Sequence, residues 1–104
     1  MSPVEGELPE LVGLSRRLER LRELGDISAR ALSMLIGASP NTVANLEAGR
    51  SRTPRSDILL SLARVLGTTA EYLALGQGEC PSVATVRDAL ALAGYDPAQH
   101  GESG

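Results

Sequence analysis

Residues 27–46 constrain the fold of this chain more than any other stretch. Leu32 and Leu35 lie three residues apart, and Val43 and Leu46 repeat this spacing a few residues later. Apolar residues at this spacing are typical of the buried face of a helix. The stretch therefore predicts two short helices whose apolar faces pack into one core.

The residues between and before these faces predict where the helices begin and end. Ser28 and Ser39 are suited to cap the N-termini of helices over Ala29–Ile36 and Pro40–Glu47. Proline is favoured at the first helical position, where its missing N–H costs nothing. Gly37 lies just after the first helix, where a left-handed residue is favoured. This is the layout of a helix-turn-helix, whose second helix is offered to the DNA major groove.

The rest of the chain also predicts helices, and the expected class is all-α. The 104 residues are enough for one domain and include only two Tyr, no Phe and no Trp. An aliphatic core without β-branched alternation favours packed helices. Four further helices are predicted, with the expected N-capping residue in parentheses where there is one: Leu14–Leu24, Ile58–Leu66 (Ser56), Ala70–Leu75 (Thr69) and Pro81–Ala93 (Ser82).

Three parts of the chain are expected to differ in role. Residues 1–12 are interpreted as an N-terminal arm, either solvated or packed on a partner subunit. Residues 13–76 form the predicted helix-turn-helix domain, and residues 77–104 a linker, a C-terminal helix and a polar tail. The last helix has an apolar stripe that includes Val83, Val86 and Leu90. This helix must either fold back onto the domain or form a dimer contact through the stripe.

The charge is distributed unevenly. The formal net charge is −3, but residues 14–66 hold nine arginines and five acids, a net charge of about +4. A local positive charge is what a phosphate backbone requires. All ten basic residues of the chain are arginine, which a GC-rich coding bias explains as well as any function does.

Several classes of protein are not expected. No apolar run is long enough to span a membrane, and the first residues lack a signal-peptide pattern. One cysteine (Cys80) and one histidine (His100) are too few for an ordinary zinc site, so no metal or other cofactor is expected. A lone cysteine is also consistent with the cytoplasm. We see no nucleophile–base pair or carboxylate cluster, so an enzyme is not expected.

The segment NLEAGRSRTPRSDILLSLARVLGTTAEYLALG (residues 45–76) resembles the second half of the lambdoid phage repressor and Cro (XRE-like) family. It carries the family's Leu-Glu-x-Gly-Arg run, the Pro before the fourth helix, the Leu-Ala-x-x-Leu-Gly run and the closing Tyr-Leu. Gly37, Val43 and Leu46 match the turn glycine and two core positions. The resemblance implies a five-helix, lambda-repressor-like DNA-binding domain, here with an additional C-terminal helix.

The resemblance also implies roles for individual residues. Positions that contact base edges in the family correspond to Pro40, Asn41 and Asn45. An asparagine amide can bind adenine N6 and N7, and Pro40 can offer only apolar contact, for instance to a thymine methyl.

Other positions correspond to backbone contacts. Arg50 and Arg52 match phosphate contacts, and Arg55 matches an arginine that enters the minor groove. The amides near Ser28 and Ala29 can hold a phosphate. Thr42 either touches a phosphate or packs against the preceding helix.

Arg22 and Glu47 match a buried ion pair of some relatives, and we predict the same pair here. Two positions depart from the family's pattern. Ala29 replaces the usual glutamine at the first position of the second helix, and Ser33, still small, replaces the common alanine that lets the two helices approach. Ala29 and Pro40 together reduce the polar contacts expected with DNA.

The sequence thus predicts a transcriptional regulator, a repressor rather than an activator, that binds a palindromic double-stranded DNA operator as a homodimer. The alternative is a protein-interaction module, an antitoxin or adaptor, that uses the same fold and binds DNA weakly.

Overall fold

A computed structural model of the chain describes residues 9–49 and 54–96. These residues form six α-helices and no strand, which confirms the predicted all-α class. None of the helices described is both long and apolar enough to cross a membrane. The helices are α1 (Pro9–Gly25), α2 (Ala29–Leu35), α3 (Thr42–Glu47), α4 (Ser56–Val65), α5 (Ala70–Leu75) and α6 (Val83–Leu92).

Helix α1 is the centre of the fold. It packs against α3, α5 and α6, while α2 packs against α3, and α4 against α5 and α6. The sequence spacing of Leu14, Leu18 and Leu21 predicts one apolar stripe on a helix, and all three are buried along α1. Every other described helix adds aliphatic side chains to the same core: Leu32, Val43, Leu46, Leu62, Ala63, Val65, Leu73, Val86 and Leu90. Ile27, Leu66 and Tyr95, which flank the helices, complete this core.

Four helix starts differ from those predicted: α4 begins at Ser56 rather than Ile58, α6 begins at Val83 rather than Pro81, and the starts of α1 and α3 also differ. Helix α1 begins at Pro9, five residues before Leu14, and so includes the last residues of the predicted arm. Proline is tolerated in the first turn of a helix, so it did not mark a boundary. Helix α3 begins at Thr42 rather than Pro40. The Thr42 N–H donates to the Ser39 carbonyl at 3.1 Å, so Pro40 and Asn41 form a turn before the helix, with Asn41 as its N-cap.

The predicted caps were right in three places and wrong in two. The hydroxyl groups of Ser28, Thr69 and Ser82 accept backbone N–H bonds at the starts of α2, α5 and α6. The Ser39 hydroxyl instead lies 3.0 Å from that of Thr42. Ser56 is the first residue of α4, and its N-cap is Arg55, which makes no capping bond through its side chain.

Helix α6 folds back onto the domain. Val86 and Leu90 are fully buried against α1 and α4, which is the first of the two alternatives predicted for this helix; Val83 is 44% exposed. The helices approach closely at Gly25, where an added Cβ would overlap the Leu90 side chain. At Gly67, with φ +73°, a Cβ would lie 3.0 Å from the backbone oxygen of Thr85.

Polar contacts add to this packing at the end of α1. Arg87 donates from Nε to the Leu24 carbonyl at 3.2 Å, and the Tyr95 hydroxyl donates to the Asp26 carbonyl at 3.3 Å. Burial raises the pKa of Tyr95, so the phenol can donate this bond up to a higher pH than an exposed tyrosine could. Asp26 has φ +55° and is the left-handed residue just after α1.

Candidate nucleic-acid interface

The turn between α2 and α3 has the predicted geometry. Gly37 has φ +78°, so the left-handed residue after α2 is confirmed. The Gly37 N–H donates to the Met34 carbonyl at 3.0 Å, and the Ala38 N–H donates to the Ser33 carbonyl at 2.9 Å. These bonds satisfy carbonyl groups at the end of α2 and direct the chain sharply toward α3.

Ser33 fixes α3 against α2. Its hydroxyl donates to the Ala29 carbonyl at 2.9 Å and accepts from the Val43 N–H, also at 2.9 Å. The side chain is fully buried. Val43 is the second residue of α3, so its N–H has no partner within the helix. The sequence indicated only that Ser33 is small; a hydroxyl on the apolar face of a helix was the signal that could have suggested this role.

Replacing Ser33 with alanine should therefore lower the free energy of unfolding by about 1–3 kcal/mol, because the buried Val43 N–H loses its acceptor. Ser15→Ala is the matched comparison. Ser15 donates to the Leu46 carbonyl at 2.8 Å, but that carbonyl also accepts from the Gly49 N–H at 3.2 Å. Urea denaturation of both variants measures the difference. An equal loss in the two variants would contradict the role given to Ser33.

The outer surface of α3 and its preceding turn lies open to solvent. Pro40, Asn41, Ala44 and Ala48 are exposed, whereas Val43 and Leu46 on the opposite face are buried. Thr42 and Asn45 are partly buried at the edge. The predicted base-contact residues Pro40, Asn41 and Asn45 therefore belong to one surface. We call the six residues Pro40, Asn41, Thr42, Ala44, Asn45 and Ala48 the α3 surface.

A groove of about 510 Å³ lies between the α3 surface and the start of α4. Ser39, Thr42 and Asn45 line one side, and Pro54 and Arg55 line the other. The Arg55 side chain is 82% exposed and only loosely paired with Asp57, at 3.3 Å. A cation thus lies beside the α3 surface. The predicted phosphate contacts Arg50 and Arg52 lie outside the described residues.

Arg22 and Glu47 form the predicted ion pair, which ties α1 to the end of α3. Nε and Nη2 of Arg22 donate to the two carboxylate oxygens of Glu47 at 2.8 and 3.0 Å. Arg22 also donates from Nη1 to the Ile27 carbonyl at 3.2 Å. The side chains are only 21% and 13% exposed. The hydrogen bond to Glu47 raises the pKa of Arg22, so the guanidinium group stays charged.

Arg17 has a structural role that the sequence did not predict. With Arg16 and Arg20 it forms a cluster of arginines that is typical of a solvated helix face. Instead it donates from Nε and Nη2 to the Leu73 and Ala74 carbonyls, both at 2.9 Å. Carbonyl groups at the end of a helix such as α5 have no hydrogen-bond partner within the helix. A cation at this end also interacts favourably with the helix dipole. Arg17 therefore joins α1 to α5 rather than facing a ligand.

At the start of α2, the Ser28 hydroxyl accepts from the Ala31 N–H at 3.0 Å, as expected of the N-cap. The predicted phosphate contact therefore depends on the backbone amides near Ser28 and Ala29 and stays a prediction. Among the residues described, no group of His, Cys, Asp and Glu is arranged to hold a metal ion.

Two helices fixed at a tight turn, with the second exposed on one side, define a helix-turn-helix protein. The model of the helix-turn-helix domain family matches residues 14–76, and the chain belongs to this family. Membership indicates DNA as the partner. No curated protein and no solved structure matches the chain. The match ends before α6, which nevertheless packs onto the matched region.

Proposed function

We propose that the protein is a sequence-specific transcriptional regulator that inserts α3 into the DNA major groove. One observation carries the proposal: the buried side of α3 is fixed by Ser33, Arg22 and Glu47, while its other side is exposed. A helix that must read bases needs a rigid support and an uncovered face. The family match supports DNA binding in general terms.

The proposed contacts follow from this placement. Pro40, Asn41 and Asn45 would face base edges, and Thr42 would approach the phosphate backbone at the edge of the groove. Arg55 would reach a phosphate or the minor groove, because its side chain is 82% exposed beside α3 and its pair with Asp57 is long, at 3.3 Å. Arg50 and Arg52, just before it in the chain, would add phosphate contacts. The amides at Ser28 and Ala29 would add a weaker one.

A homodimer bound to a palindromic operator is the proposed assembly. Helix α3 has only six residues, so one copy reads few bases, and a symmetric pair doubles the number. The two α3 helices would lie about 34–36 Å apart, one turn of DNA. Since Val86 and Leu90 are buried in the same chain, the dimer contact must lie elsewhere. A small protein on an operator can repress by excluding polymerase.

The test uses the full chain and duplexes selected from a random DNA pool. Fluorescence anisotropy should show tight binding to the selected sites, with log K falling by about 0.9 per phosphate contacted for each unit of log salt. Sedimentation of the complex should give two chains per site. Binding that is insensitive to salt, or the absence of any enriched sequence, would contradict the proposal.

Arg55→Ala should weaken binding to the selected and to unrelated duplexes alike. It should also reduce the salt slope by about one unit, because one cation–phosphate contact is lost. Arg64→Ala is the matched control, since Arg64 is exposed on the last turn of α4. That position is about 13 Å further along the helix, and its loss should leave the slope unchanged. Equal effects of the two variants would show that only overall charge matters.

The same domain could instead bind a protein, and one observation favours this second function. Exposed positions of the α3 surface carry no charge and include Ala44 and Ala48, a chemistry that also suits a protein partner. In that case the full chain should show no preference for any duplex in the selection experiment. The two functions therefore predict opposite outcomes of one measurement.

A further inference from the structure

The α3 surface contains only amide, hydroxyl and apolar groups. Residues 38–49 include one charged residue, Glu47, and both of its carboxylate oxygens are bonded to Arg22. The side chains turned to solvent are a proline, two alanines and Asn41, with Thr42 and Asn45 at the edge. An interface made by α3 therefore contains no cation and no available carboxylate.

Each base pair is recognised by a different chemistry in the major groove. Guanine is most often read by Arg or Lys at O6 and N7, and cytosine by a carboxylate at N4. Adenine is read by an Asn or Gln amide at N6 and N7, and thymine by apolar contact with its methyl group. The α3 surface has the groups that recognise adenine and thymine, and it lacks the main groups that recognise guanine and cytosine.

These groups also lie in rows. Asn45 follows Asn41 by one helical turn, and the Asn45 N–H donates to the Asn41 carbonyl at 2.9 Å. Ala48 follows Ala44 by the same interval, so a row of amides lies beside a row of methyl groups. Six helical residues extend about 9 Å, which matches about three base-pair steps of 3.4 Å.

We propose that α3 reads A·T base pairs: Asn41 and Asn45 would bind adenines, and Pro40 and Ala44 would contact thymine methyl groups. The inference rests on the proposed function and adds the class of DNA that it recognises. An A·T-rich half-site also narrows the minor groove, which attracts arginine. Arg55, exposed beside the α3 surface, is placed to use that feature.

The test changes the DNA and leaves the protein intact. In the selected duplex, each thymine is replaced in turn by deoxyuridine, which pairs normally but lacks the methyl group. Each adenine is replaced by 7-deazaadenine, which lacks the N7 acceptor. At about three neighbouring positions of each half-site, we expect about fourfold weaker binding for a lost methyl. The loss for an adenine in a bidentate contact should be roughly 5- to 150-fold.

The variant Asn45→Ala tests whether the base contact is made by this side chain. At the base that Asn45 contacts, the loss of affinity from the combined changes should be smaller than the product of the two separate losses. The reason is that Asn45→Ala and 7-deazaadenine remove the same interaction. Gln77→Ala, which changes an exposed amide in the linker, should leave the effects of all base replacements unchanged.

The outcomes separate this inference from the proposed function. Selected half-sites with G·C pairs at the α3 positions, or base replacements without effect, would overturn the A·T inference while sequence-specific binding remained. Failure to select any sequence would remove both proposals together.

Discussion

Leu90→Ala is expected to lower the free energy of unfolding by about 2–5 kcal/mol, the range for removing a fully buried leucine side chain. Leu90 is 1% exposed and contacts α1 where Gly25 leaves room for it. Alanine would leave a cavity between α6 and α1, and the lost contacts would not be recovered by water. Urea denaturation followed by circular dichroism measures the change.

Leu92→Ala is the matched control, because it makes the same substitution in the same helix at a side chain that is 90% exposed. Its effect should stay within about 0.5 kcal/mol. The difference between the two variants should persist at every protein concentration. If Leu90 instead formed a contact between two chains, the difference would disappear on dilution, because dimer stability depends on concentration.

The prediction of this fold from sequence succeeded where the signal is local. Helical spacing identified Leu14, Leu18 and Leu21 as one buried stripe, and all three are buried. The left-handed glycine after α2 follows from the turn alone. The family resemblance supplied the Arg22–Glu47 pair, which no local pattern would have joined across 25 positions.

The prediction was incomplete where a role depends on which segments meet. Arg17 looked like its neighbours Arg16 and Arg20, but it bonds carbonyls 56 and 57 residues away. The direction of α6 was left open because an apolar stripe shows that a helix needs a partner without naming it. Only the packed chain shows that Val86 and Leu90 already have one.

The base-contact assignments stay predictions. Pro40, Asn41 and Asn45 share the α3 surface, which makes common contact with one groove geometrically reasonable. The start of α3 at Thr42 moves Pro40 and Asn41 into the turn before the helix. They would therefore approach DNA from the edge of the reading helix rather than from its first turn.

Glu47→Ala should lower the free energy of unfolding by about 2–4 kcal/mol. The loss is larger than that of a surface pair because Arg22, 21% exposed, would remain charged without its carboxylate partner. The value lies somewhat below the cost of breaking a fully buried pair because water still reaches part of both side chains. The measurement is again urea denaturation of the full chain.

A matched control is available within the same chain. Arg55→Ala breaks the pair with Asp57, whose side chains are 82% and 66% exposed, and should cost less than about 1 kcal/mol. Replacing both partners, as Arg22→Met with Glu47→Leu, should recover most of the loss, since no charge is then stranded. If Glu47→Ala costs no more than Arg55→Ala, the pair does not stabilise the junction of α1 and α3. The rigid support that the reading helix requires would then have to come from Ser33 and the apolar core.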